Sequence, residues 1–68
     1  MSYWVVGYSD TTPFDTRRAV SRSHASSLAA QMRRALWMRP WLTTIQIRPA
    51  AGSPVECWAL SRGRWARL

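Results

Sequence analysis

Lysine is absent from this chain, and acidic residues nearly so. Ten arginines stand against Asp10, Asp15 and Glu56, a formal net charge of +7 in 68 residues. A balance this basic favours anionic partners: nucleic acid, an acidic protein face or an anionic membrane surface. Cysteine and histidine occur once each, at Cys57 and His24. One cysteine closes no internal disulfide, and no Cys/His cluster is present to hold structural zinc. The same scarcity excludes most catalytic designs. His24 has no carboxylate at helical spacing and no second ligand nearby, no histidine is placed to activate Cys57, and Ser21, Ser23, Ser26 and Ser27 read as helix surface. There is no Walker A, no GxGxxG and no acid pair. The expectation is a non-enzymatic protein with no cofactor and no metal.

Long apolar runs are missing too. No stretch approaches the roughly 18 residues of a membrane span. The opening "MSYWVVGYSD" lacks the basic n-region and apolar core of a signal peptide. Together with a lone cysteine suited to a reducing compartment, this leads us to expect a cytoplasmic protein with no membrane partner.

What is abundant is tryptophan, five in 68 residues. A chain this short makes one domain, residues 1–68, and buries only about 60% of its unfolded surface. Without staples it must rely on a compact aromatic-rich core, on a partner, or on both; each indole can bury about 150–250 Å².

The pattern along the chain predicts an α+β fold in the order β-α-β-β-β. "SYWVVGY", Ser2 to Tyr8, is aromatic and β-branched and reads as a strand. Thr12 before Pro13 reads as an N-cap with proline at the first helical position, and Asp15 sits where a negative charge suits the helix dipole. From Pro13 to about Trp37 we expect one helix, with Phe14, Ala25, Leu28, Ala29, Met32, Ala35 and Leu36 on its apolar stripe and Arg18, Arg22 and Arg33 at the border. Pro40 disfavours helix at Arg39. "WLTTIQIR", Trp41 to Arg48, alternates, with Trp41, Thr43, Ile45 and Ile47 on one face and Leu42, Thr44, Gln46 and Arg48 on the other. "VECWAL", Val55 to Leu60, is a third strand, apolar on both faces. "SRGR" is a turn with Gly63 free to take positive φ, and "WARL" a fourth strand. One helix covers one face of an antiparallel sheet, with Val5, Ile45 and Ile47 inward. The other face is left bare, with Trp65 and one of Tyr3 or Trp4 upon it; such faces mark interaction surfaces.

"TTIQIR", a loop with Gly52, and then "CWALSRGRW" resemble the C-terminal three-stranded unit of small basic phage anti-CRISPR proteins that act on type I CRISPR effectors. There too an aromatic-aliphatic strand precedes a basic helix, and the last hairpin carries a charged turn and "RW". The likeness runs by motif from Thr43 to Trp65 and elsewhere by order of elements. The chain departs from the pattern in a longer middle loop, "AAGSPVE", and in "WMRPW" after the helix. The resemblance implies a phage-type inhibitor that binds the guide-carrying backbone of a type I CRISPR-Cas surveillance complex and blocks target DNA recognition. Mimicry of DNA is excluded by the positive charge. By position, the resemblance brings in Arg33 and Arg34 from the helix and Arg64 beside the turn tryptophan.

The candidate partner-binding surface therefore comprises Arg33, Arg34, Arg62, Arg64, Arg22 and Trp65. Each has an ordinary alternative: the helix arginines as a solvated face, and Trp58 and Trp65 as core or cross-strand partners. Three functions stay open. The protein is an inhibitor of a CRISPR effector (Cas) complex, a nucleic-acid-binding module that uses the open sheet as a stacking platform, or a structural phage assembly protein. The expected state is a monomer or weak dimer.

Overall fold

The computed structural model describes residues 2–34 and 40–68. Its elements are β1 (Tyr3–Ser9), β2 (Thr12–Ala19), α1 (Arg22–Arg34), β3 (Thr44–Pro49), β4 (Glu56–Ser61) and β5 (Arg64–Arg67). They form an α+β fold in which one helix packs on one face of a five-stranded antiparallel sheet, in the strand order β2-β1-β3-β4-β5. The expected β-α-β-β-β series is present with one more strand, β2, inserted between its first strand and its helix.

That strand replaces the expected first turns of the helix. Asp10 adopts φ 56°, a left-handed conformation that Asp tolerates, and its N–H donates to Thr43 Oγ1 at 2.7 Å. The chain then folds back on β1, from Ser9 opposite Thr12 to Tyr3 opposite Ala19, with an irregularity at Gly7–Tyr8. Pro13 faces Tyr8 on an edge strand, where its missing N–H breaks no inner ladder. Asp15 pairs with Arg17 at 3.5 Å and serves no helix dipole. Phe14 leaves the expected stripe; it is exposed and tilts against the Trp41 ring at 5.5 Å.

The helix has its own cap further on. Ser21 Oγ accepts from the His24 N–H at 3.1 Å, the Ser21 carbonyl accepts from the Ala25 N–H at 2.9 Å, and His24 Nδ1 accepts from the Val20 N–H at 3.2 Å. Side chain and backbone thus satisfy each other around the first turn, as in a capping box. The stripe is as expected from Ala25 on: Ala25, Ala29 and Met32 are buried and Leu28 packs beside them. The expected end of the helix, with Ala35, Leu36, Trp37 and Arg39, lies outside the described residues.

The core joins these to Val5, Ala19, Leu42, Ile45 and Ile47. Leu42 is a correction: alternation put it opposite Ile45, yet it is fully buried, because β3 starts only at Thr44 and Leu42 turns inward ahead of it. It fills the space over Gly7, where an added Cβ would lie 2.8 Å from Leu42 Cδ1. Register also settles the third strand. Trp58 is opposite Ile45 and Glu56 opposite Ile47, so Glu56, Trp58 and Leu60 look to the helix side while Cys57 and Ala59 look away. Arg62 at φ 54° and Gly63 at φ 76° close β4 on β5 in a two-residue turn.

Candidate functional site

The two faces of the sheet differ in their carboxylates: Asp15 and Glu56 both lie on the helix side. On the helix side, Glu56 organises the outer half. Its side chain, 9% exposed, accepts Trp58 Nε1–H at 2.6 Å and meets Arg22 Nη2 at 3.2 Å and Arg67 Nη2 at 3.6 Å. Burial pushes this carboxyl up, but the bonds from Trp58 and Arg22 and the charges of Arg67 and Arg22 together outweigh it, so the group sits below the usual carboxylate range. Arg33 lies over the Trp58 ring, 3.9 Å from its centroid. Burial there lowers its pKa, with Glu56 opposing and Arg34 adding to the shift.

This geometry sorts the residues expected to bind a partner. Arg22 is paired with Glu56, and Arg33 covers Trp58. Arg34 is exposed at the last turn of α1, and Arg62 and Arg64 are exposed at the hairpin tip. Trp65, opposite Leu60, lies on the helix side and packs against the core, with its Nε1–H buried and without a hydrogen-bond partner among the described residues. Trp65 is therefore not on the bare face, and neither is Tyr3, which packs on the core. Arg64, opposite Ser61, belongs by register to the face turned away from the helix, so Arg33 and Arg64 stand on opposite sides of the sheet.

The bare face carries a constellation that the sequence reading did not assemble. Trp4, 39% exposed, stands on β1 directly between Arg18 on β2 and Arg48 on β3. Next along lie Val6 between Thr16 and Gln46, then Tyr8 between Pro13 and Thr44. Cys57, Ala59 and Ala66 extend the face as a low floor toward Arg64. Tyr8 Oη–H and Arg48 Nη1–H both donate to Gln46 Oε1, at 3.2 and 3.3 Å, and Arg18 Nη2–H donates to Ser2 Oγ at 3.3 Å. These partners are neutral, and among the described residues no carboxylate pairs with Arg18 or Arg48. No carboxylate side chain shares the face: Asp15 and Glu56 face the helix side, and Asp10 sits in the β1–β2 turn. Trp4 and Arg48 could be placed by alternation alone. Arg18 could not, because its segment carried helix signals.

Among the described residues there is no group of three His, Cys, Asp or Glu side chains able to hold a metal ion, and no helix is long and apolar enough to cross a membrane. Compared with protein-family models, curated proteins and solved structures, the chain matches none. What fold and site define together is a class by architecture: a small α+β sheet with one covered face and one bare, cationic, tryptophan-bearing face.

Proposed function

We propose that this protein is a non-enzymatic nucleic-acid-binding module of the cytosol, docking the helix-free face of its sheet on phosphates. The observation that carries this reading is the segregation of charge: Arg18, Arg48 and Arg64 share a face with no carboxylate side chain. Arginine forks suit phosphate oxygens, and the release of condensed counterions drives such binding. Three phosphate contacts give a log–log salt slope of about −2.7 on duplex DNA and about −2.1 on a single strand. The test is a salt titration of binding to DNA and RNA, with the Arg18→Glu/Arg48→Glu/Arg64→Glu variant as control. A slope in this range, lost in the variant, supports the reading. No binding at low salt, or a variant that binds like the parent, ends it.

A second reading is favoured by the exposed Arg62–Gly63–Arg64 tip of the last hairpin, which holds the motif of the resemblance. Here the protein is a phage-type inhibitor of a type I CRISPR-Cas surveillance complex, with Arg62, Arg64 and Arg34 meeting the effector and blocking target DNA. Recovery of stoichiometric Cas proteins on the tagged protein, alongside weak binding to naked nucleic acid, would favour it over the first.

A further inference from the structure

We infer that the nucleic acid taken by the bare face is single-stranded, with an unstacked base lying on the Trp4 indole and phosphates held to either side by Arg18 and Arg48. This rests on the reading of that face as a nucleic-acid surface and adds the class of ligand. Width is the first argument. Five strands spaced about 4.8 Å apart put the outer strands roughly 19 Å apart, whereas the major groove of B-DNA is about 12 Å wide and the minor groove about 6 Å. A sheet this wide presented flat does not fit either groove of undistorted B-DNA, so Trp4, on the second strand of five, does not reach base edges there unless the duplex is deformed at a cost. Duplex bases are also stacked on one another and offer no ring face to an indole.

The state of the Trp4 ring is the second argument. Among the described residues it stacks on no other aromatic and under no guanidinium, unlike Phe14 on Trp41 or Trp58 beneath Arg33. It is a large apolar side chain left half in water in the middle of a cationic row. A base supplies the flat π surface that would cover it, and stacking of this kind is sequence-tolerant because every base has such a face. The third argument is the amide of Gln46. Arginine has no acceptor, so the atom facing Arg48 must be the amide oxygen, which Tyr8 engages as well. The bidentate amide pair that selects adenine needs that oxygen free. The face thus offers a ring and positive charge and withholds its one side-chain amide from adenine, which suits a strand bound with little regard to sequence.

The experiment measures fluorescence anisotropy of a labelled mixed-sequence oligonucleotide, single-stranded and as its duplex, at one salt concentration, for the parent, Trp4→Ala and Trp4→Phe. The single strand should bind at least tenfold tighter than the duplex. Trp4→Ala should weaken single-strand binding about five- to 150-fold while Trp4→Phe keeps most of it. Thermal melts of both variants show that the fold is retained. Equal or tighter duplex binding, or an unchanged affinity in a folded Trp4→Ala protein, overturns the inference; the phosphate reading then still stands if charge reversal at Arg18, Arg48 and Arg64 abolishes binding. Absence of binding to either oligonucleotide overturns both.

Discussion

Replacing Glu56 with Gln keeps the size of the side chain and removes the charge that Arg22, Arg67 and the Trp58 indole share. The folded protein holds this carboxyl below its ordinary value, so on acidification the unfolded chain takes up the proton first. The stability it contributes is complete above the ordinary carboxylate value of about 4.3 and is lost as pH falls from there through the folded value. Thermal melts from pH 7 down to pH 3 should therefore show a fall below about pH 4.5 that is smaller in Glu56→Gln. Equal pH dependence in the two proteins would remove Glu56 from that role. At this scale the sequence was informative about type and poor about company. It marked Glu56 as one of three acids and Trp58 as either core or surface. That the two bond each other follows from their i, i+2 spacing on one strand face, which could be used only once the inward face of β4 was known. Arg33 shows the opposite problem: a border residue of the helix stripe proved to lie on a tryptophan of β4, a contact no local pattern encodes.

The start of α1 is where element-level signals conflict. Thr12-Pro13-Phe14-Asp15 satisfies the local rules for a helix N-terminus, yet the chain uses Ser21 instead. Strand β2 was hard to read because it is an edge: only Ala19 is buried on it, so both its faces are largely polar and period-2 alternation is faint. Its conformation is imposed by pairing with β1, a tertiary effect that overrides propensity. By contrast β3, with Ile45 and Ile47 buried, and the helix beyond Ala25 carry strong burial contrast and were legible. Substitution separates the two helix starts. Ser21→Ala should cost about 1 kcal/mol through the lost cap, while Thr12→Ala, at an exposed strand end, should stay within about 0.5 kcal/mol. Urea melts of both variants check this; a larger loss at Thr12 would favour a helix beginning there.

Across the whole molecule the charge is sorted by the sheet. Three arginines, Arg17, Arg22 and Arg67, meet the two helix-side carboxylates. Among the described residues, the arginines outside these pairs are Arg18, Arg48 and Arg64 on the bare face, Arg33 over the Trp58 ring, and the exposed Arg34 and Arg62. The strand order has a consequence of another kind. β1–β2 is a local hairpin, and β3–β4–β5 is a local meander; the ladder between β1 and β3, with Val5 on Ile47 and Gly7 on Ile45, joins strands from either side of the helix. Assembly then has one slow event, the closing of this seam over the helix, since distant pairing bears the entropy of loop closure before any contact rewards it. Ile47→Val, which removes one buried methylene from the seam at a cost of about 0.5–1.5 kcal/mol, should act mainly by slowing refolding in a chevron experiment. If it acted only on the unfolding limb, the seam would form late and one of the two local units would set the rate.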